Sequence, residues 1–228
     1  ADTAVSVNAL AASTVLTFNW AGPVSARVLV LAGHNLSAAA TVRWKRGSTD
    51  GGTDTADSGS VAAWRFTPRV YDGGQFNVIV LLPTAGAALW DRIEITDTTN
   101  PAGTVSVGRV AICPVFEPAR GVTYGLKDTV ADRSTVGEAE SGADWPTERR
   151  RTRGASFGFP VLTQAEADDA HDIDLVEGTT REVVWLPYMD DPARMQRFGG
   201  LARLRELSAI EFPHYRTRGK GYSVTLRV

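Results

Sequence analysis

The sequence contains few of the residues that carry catalysis or bind metal ions. Its 228 residues include one cysteine, Cys113, and three histidines, His34, His171 and His214. The histidines lie far apart, no cysteine or histidine recurs at zinc-ligand spacing, and neither a phosphate-binding glycine loop nor an H-E-x-x-H helix occurs. We therefore predict no catalytic residue, no cofactor and no metal centre, and a protein that is not an enzyme. The apolar run around Cys113 favours a buried, reduced thiol.

The chain also lacks an excess of charge and a long apolar run. Its 24 basic and 26 acidic residues nearly cancel, which argues against nucleic acid as the main partner. No apolar run approaches the roughly 18 residues of a membrane span. The first ten residues lack the basic start of a signal peptide. We therefore expect neither a nucleic acid nor a membrane partner.

The residues that are present favour β structure. Hydrophobic residues make up 43% of the chain, enough for a sizeable core. From Thr14 to Pro118, short apolar runs alternate with turn residues, a pattern typical of a β-sandwich. The strands predicted before residue 90 are 14–20, 26–32, 40–44, 61–67 and 76–82. We expect the polar loop at 47–60 to be mobile or ordered by a partner.

The stretch Trp90–Phe116 predicts a β-hairpin with one buried face. Apolar residues alternate with polar ones on either side of a turn at 97–103, which is the pattern of two half-buried strands joined by a loop. The tip of this hairpin is a candidate contact loop, represented by Asp97, Asn100 and Gly103.

Two prolines, Pro114 and Pro118, predict a break in regular structure and a domain boundary near residue 118. We expect residues 1–118 to form a jelly-roll-like β-sandwich. Residues 119–228 carry more charge, and they contain a good helix signal, so we expect them to form a smaller α+β assembly domain with one main helix.

The predicted helix covers residues 164–177. Thr163 and Glu166 match a capping box, and Gly178 is a suitable stop. Strand-like segments surround this helix at 154–161, 181–188, 201–210 and 220–228.

An arginine run before the helix is the strongest local charge feature. It consists of Arg149, Arg150, Arg151 and Arg153. The run fits either a solvated strand or loop face, or a subunit interface. In a symmetric ring, these arginines could contact a neighbour's carboxylates, such as those of Asp168, Asp169, Asp172 and Asp174. DNA binding is disfavoured, because basic residues elsewhere are interspersed with acidic ones.

Two other kinds of binding site stay open as alternatives. The acidic residues of the predicted helix do not match a calcium loop, which needs a glycine turn between its ligands. Carboxylates in the loops at 72–74 and 97–103 could instead hold a structural cation. Aromatic side chains could stack on sugars, although core packing is the default for those in predicted strands. The six tryptophans are Trp20, Trp44, Trp64, Trp90, Trp145 and Trp185.

Two blocks of sequence carry a resemblance to a known family. ARVLVLAGHNLSAAATVRW at 26–44 and LWDRIEITDTTNPAGTVSVGRVAI at 89–112 look like the galactose-binding or discoidin-like β-sandwich of tail proteins from long-tailed, siphovirus-like bacteriophages. The resemblance covers about residues 24–118. The later segments GVTYGLKDTVADRSTVGEAESG, LTQAEADD and REVVWLPYMDDPA follow in an order similar to that of distal tail or baseplate hub proteins.

The resemblance implies a virion structural protein. Such a protein would be a ring-forming distal tail subunit, hexameric in the family, that links the tail tube to the baseplate or receptor-binding apparatus. Its partners would be copies of itself, the tail tube protein and baseplate or hub proteins, and it would be assembled in the bacterial cytoplasm and located at the tail tip. The alternative is a carbohydrate-binding module of a tail fibre or baseplate protein, with glycan contacted by an exposed aromatic such as Trp64. A hydrolase is the third class, and the resemblance supplies no catalytic residue for it.

Overall fold

The described residues form mostly strands, with two helices, and the sheets are antiparallel. The fold is therefore mainly β with a small helical part, which confirms the predicted fold class. The computed structural model describes residues 3–6, 13–67, 76–122, 126–132, 134–138, 141, 143–149, 151–206, 211–214 and 217–226. The chain divides into two units, Ala1–Val115 with Leu186–Gly200 and Val228, and Phe116–Trp185 with Leu201–Arg227.

The first unit is built on one six-stranded sheet. Its strands are β1 (Thr3–Ser6), β2 (Thr14–His34), β3 (Thr41–Gly47), β4 (Ala56–Ala62), β5 (Val78–Thr96) and β6 (Ser106–Cys113). Their spatial order is β1-β6-β2-β5-β3-β4. The strand β4 corrects the expectation of a mobile loop at 47–60, because residues 56–60 of that segment belong to β4, which pairs with β3. The Asp54 carboxylate fixes the rest of the turn by accepting the Ser48 N–H at 3.1 Å.

The strands β2 and β5 are each longer than predicted. β2 joins the predicted strands at 14–20 and 26–32, and β5 joins the one at 76–82 to the first strand of the predicted hairpin. The register between β2 and β5 shifts between Asn19 and Val24 and again between Ala26 and Val28. Turn residues such as those at 21–23 therefore bend a continuous strand instead of ending it, as β-bulges do.

The predicted hairpin within Trp90–Phe116 is wrong in its pairing, although its two strands and its turn are present. β5 pairs with β2 and β3, whereas β6 pairs with β1 and β2. The connection at 97–105 therefore passes from one side of β2 to the other. Alternation of apolar residues identifies strands, but it does not identify their neighbours, and β2 is long enough to pair with both.

One buried core is shared by both parts of the bent sheet. Leu16 and Ile93 lie where the start of β2 pairs with the end of β5, and Leu29 and Val80 lie where the end of β2 pairs with the start of β5. All four belong to the same cluster of buried side chains. The two parts therefore pack against each other as the layers of a sandwich.

A buried arginine stabilises the bend. Arg46 Nε donates to Asp91 Oδ1 at 2.6 Å, and both side chains are 0% exposed. Its Nη atoms donate to the carbonyl oxygens of Val24, Ala26 and Gly86 at 2.8, 2.7 and 2.6 Å. These carbonyls lie where the β2–β5 register is irregular, so the guanidinium supplies donors that a regular strand would otherwise provide.

The second unit contains a six-stranded antiparallel sheet and a separate two-stranded ladder. The sheet order is β11-β12-β14-β10-β7, with β13 paired to β14, and β8 pairs with β9. The strands are β7 (Lys127–Ala131), β8 (Thr135–Glu138), β9 (Asp144–Thr147), β10 (Thr152–Leu162), β11 (Val183–Trp185), β12 (Gly200–Glu206), β13 (Glu211–His214) and β14 (Thr217–Leu226). Four of them, β10, β11, β12 and β14, overlap the strands predicted for this half. The predicted residues 207–210 and 227–228 lie outside the described residues.

Helix α1 (Gln164–Glu177) confirms the predicted helix and its capping box. Thr163 Oγ1 accepts the Glu166 N–H at 3.3 Å, and Glu166 Oε2 accepts the Thr163 N–H at 2.7 Å. The helix packs on a core rich in aromatic rings, in which Phe157 stacks on Trp185 with 4.0 Å between ring centroids.

A second helix, α2 (Pro192–Phe198), lies in the segment Leu186–Gly200 of the first unit. It was not predicted, although Asp191 followed by proline is a typical helix start. The side chain of Gln196 is buried: its Nε2 donates to the carbonyl oxygens of Ala63 and Asn77 at 2.6 and 3.1 Å, and its Oε1 accepts the Arg65 N–H at 2.6 Å. One glutamine thus binds this segment to the sandwich.

Candidate functional site

The second unit carries a β-hairpin that extends beyond its sheet. Ala131 of β7 pairs with Thr152 of β10, and after an irregular junction Thr135 of β8 pairs with Thr147 of β9. β8 and β9 therefore continue the β7–β10 pair outward. We call the described residues from Thr135 to Thr147 the arm, and the described residues at 132–134 and 148–151 its base.

All described residues of the arm and its base are exposed. The arm includes two large apolar side chains, Val136 and Trp145, which are 67% and 68% exposed. A two-stranded hairpin without a packed face is at best marginally stable in water, and tryptophan is enriched at the centres of protein interfaces. The arm therefore has the features of a surface that packs on another molecule.

The register gives the two faces of the arm different chemistry. Residues directly opposite each other share a face, and successive residues alternate between faces. Trp145 lies opposite Gly137 on an uncharged face, which also carries two threonines. The other face carries Val136 opposite a proline and, at the tip, Glu138 opposite Asp144. We call these two residues the carboxylate pair.

The base of the arm is held by polar contacts. The Arg149 N–H donates to Ser134 Oγ at 2.9 Å, and Arg151 Nε donates to Asp132 Oδ2 at 3.0 Å. Hydrogen bonds from the side chain and backbone N–H of Ser134, together with the Arg151 guanidinium, lower the pKa of Asp132 to about 2. An open cavity of about 290 Å³ lies here, lined by Ser134, Glu148, Arg149 and Arg151.

The predicted arginine run falls at this base. Arg149 and Arg151 line the cavity, and the side chain of Arg149 has no carboxylate within ion-pair distance in the described part of the chain. Arg153 lies in β10 near Asp128, with 3.8 Å between the charged atoms. Arg150 lies outside the described residues. The structure therefore brings two of the four predicted residues together on one exposed surface.

Two of the three residues that represent the predicted contact loop have internal side chains. Asp97 is 1% exposed and accepts the Ser37 N–H at 2.8 Å. Asn100 is 8% exposed and donates to Asp97 and to the Asn35 carbonyl oxygen, both at 3.1 Å. Gly103 is exposed and has a positive φ of 67°. Because Thr98, Thr99, Pro101 and Ala102 are also exposed, most of the loop faces solvent.

The carboxylates predicted to face a neighbour's arginines have two different environments. Asp168, Asp169 and Asp172 are exposed on α1. Asp174 is buried and forms an ion pair with the buried Lys220 of β14. Asp174 is therefore a structural residue of the second core, and three carboxylates of that group lie at the surface.

Five of the six tryptophans are buried or half-buried. The indoles of Trp20 and Trp44 donate to the Asp91 carboxylate at 2.7 and 2.8 Å, which completes the hydrogen bonding of the buried ion pair. Trp64 donates to the Leu36 carbonyl oxygen at 3.0 Å and is half-buried, so it does not present an open aromatic face. Trp145 is the exposed one.

No group of three or more His, Cys, Asp or Glu side chains that could hold a metal ion occurs in the described ranges. Of the two loops considered for a cation, 72–74 lies outside those ranges, and Asp97 of the other is bonded to Ser37 and Asn100. Cys113 is half-buried, where a buried thiol was predicted.

Neither α1 nor α2 is long and apolar enough to cross a membrane.

The arm itself was missed from the sequence, although a signal for it was present. The letters DTVADRSTVGE and DWPTERR flank AESGA, a turn-rich stretch, and they alternate weakly between polar and apolar residues. Because the arm buries no face, its strands contain too few apolar residues to give a clear period of two.

Comparison with known proteins gives no relative for this chain. No protein-family model matches it, and neither a curated protein nor a solved structure matches it.

Proposed function

We propose that this chain is a structural subunit of the tail tip of a long-tailed bacteriophage. In this proposal it is a ring-forming distal tail protein that joins the tail tube to the baseplate or receptor-binding apparatus in the virion. The observation that supports an assembly role is the arm, whose exposed faces and exposed Trp145 suit a contact with another subunit. The narrower assignment to a phage tail rests on the resemblance in segment order.

Light scattering after size-exclusion chromatography, combined with negative-stain images, tests this proposal. The purified chain is examined alone and with the tail tube protein encoded in the same genome. We expect rings, formed either by the chain alone or on the tube as template. A chain that remains monomeric at high concentration and does not bind tube protein would refute the proposal.

Glycan binding is the second candidate function, and the exposure of Trp145 is the observation that favours it. An indole that is 68% exposed can stack on the apolar face of a sugar ring. The test is saturable binding to a panel of bacterial polysaccharides, with Trp145→Ala as the variant and the half-buried Trp64→Ala as its comparison. If Trp64→Ala weakens glycan binding and Trp145→Ala does not, the result would count against a site on the arm.

A further inference from the structure

The tip of the arm carries two like charges that face each other. Glu138 and Asp144 are direct cross-strand partners and both are exposed. Opposed like charges destabilise a strand pair, and no ion pair to either carboxylate occurs among the described residues. The carboxylate pair is therefore an arrangement that a positively charged partner would stabilise.

The base of the same arm offers the complementary charge. Arg149 and Arg151 line an open cavity, together with Ser134 and one carboxylate, that of Glu148. Arg151 is already paired with Asp132 at 3.0 Å, so Arg149 supplies the available guanidinium. Arginine binds carboxylates through two parallel hydrogen bonds, which adds geometric specificity to the charge attraction.

One arm cannot join its own two ends. At about 3.4 Å per residue, the five residues from Asp144 to Arg149 separate the tip from the base by roughly 17 Å. The carboxylate pair lies at the outer end of the β8–β9 ladder and Arg149 lies two residues beyond its inner end, so the two groups can meet only between two molecules. A surface that carries both members of a complementary pair is suited to a second copy of itself.

We propose that the arms of two copies of this chain pair tip to base, with the carboxylate pair of one copy bound in the arginine-lined cavity of the other. Val136 lies on the same face as the carboxylate pair, and it gives the contact an apolar centre. The inference rests on the proposed assembly function, and it names the surface and the partner through which assembly occurs.

Charge reversal at the two ends tests the pairing. The tip variant is Glu138→Lys with Asp144→Lys, and the base variant is Arg149→Glu with Arg151→Glu. Sedimentation velocity over a concentration series measures self-association of the full chain. We expect each variant to associate about 100-fold more weakly than the wild type, because each puts like charges together. The single change Arg149→Glu keeps the Asp132–Arg151 pair and is expected to weaken association about 10-fold.

The decisive measurement is the mixture of the two variants. In an equimolar mixture, the lysines of the tip variant meet the glutamates of the base variant. The unchanged arginines of the tip variant meet the unchanged carboxylate pair of the base variant. We therefore expect association to return to within about threefold of the wild type, and to weaken with added salt. A chain that combines all four substitutions should likewise associate with itself.

A matched control reverses two other exposed carboxylates. Asp169→Lys with Asp172→Lys on α1 changes the net charge as much as the tip variant and leaves the arm intact. If this control abolishes self-association while the arm variants leave it unchanged, the interface lies on α1 and the proposed pairing is overturned. Two further results would overturn the pairing. One is a mixture of the tip and base variants whose association stays weak. The other is a wild-type chain that stays monomeric up to about 1 mM, since its dissociation constant would then be weaker than millimolar.

Failure of the pairing can be separated from failure of the tail assignment. Tail rings that form with the tip variant as they do with the wild type would contradict the pairing and support the tail assignment. Recovery in the mixture, without any binding to tube protein, would support the pairing and contradict the tail assignment. Circular dichroism and thermal unfolding of each variant show whether its fold is retained.

Discussion

Replacing Arg46 by methionine is expected to destabilise the first unit by about 3–5 kcal/mol. Methionine keeps part of the apolar stem, but it leaves the Asp91 carboxylate, 0% exposed, without its cation, and an uncompensated buried charge costs roughly this much. The carbonyl oxygens of Val24, Ala26 and Gly86 also lose their donors. At about 2–4 °C per kcal/mol for a chain of this size, the thermal midpoint of the first unit should fall by about 6–20 °C.

Urea unfolding followed by tryptophan fluorescence measures this change, because Trp20 and Trp44 both donate to Asp91. The matched control is Arg43→Met in the same strand. Arg43 pairs with Asp57 and is 41% exposed, so its loss should destabilise the first unit much less than the loss of Arg46. A loss below about 1 kcal/mol for Arg46→Met, or equal losses for the two variants, would refute the reasoning.

Two further predictions concern the segment Leu186–Gly200 and the base of the arm. Gln196→Ala should destabilise the first unit by about 1–3 kcal/mol, because it leaves the half-buried N–H of Arg65 and two buried carbonyl oxygens without partners. Hydrogen exchange at the Arg65 amide should also become faster. An unchanged exchange rate at Arg65 would contradict this prediction. The control is Gln164→Ala, at an exposed position of α1. The pKa of Asp132, about 2 in the folded chain against its usual 3.8, is lowered by Ser134 and Arg151. The stabilisation of the base is therefore complete above pH about 4, and it is lost as the pH falls through about 2. A carboxyl titration followed by NMR with a midpoint near 3.8 would contradict the prediction.

The local structure of this chain could be predicted where the residues act within a few positions of each other. The capping box of Thr163 and Glu166 specifies the start of α1, and alternation locates β3, β10 and β14. The pairing of β5 with β2 and β3 could not be predicted, because the choice of strand partner depends on contacts between distant residues. The burial of Arg46 could not be predicted for the same reason. An arginine near the end of a strand is ordinarily exposed, and the groups that bind its side chain lie across the bend, far away in the sequence.

The candidate site shows a related contrast. The arginine run was predicted as either a solvated face or an interface, and the structure places Arg149 and Arg151 at the base of an exposed arm. The carboxylate pair could not be found from the sequence, because Glu138 and Asp144 become partners only through the register of β8 with β9. A one-residue shift of that register would place the two side chains on opposite faces.

The long strands β2 and β5 have a consequence for how the chain folds. Thr14 pairs with Ile95 and Leu31 with Val78, so both ends of β2 pair with residues that lie far along the chain. Domains dominated by such non-local pairs fold slowly, in milliseconds to seconds. During synthesis, β2 therefore remains without its main partner until β5 has left the ribosome. Since each strand belongs to both layers, we expect neither layer to form alone, and the sandwich should fold and unfold in a single cooperative step.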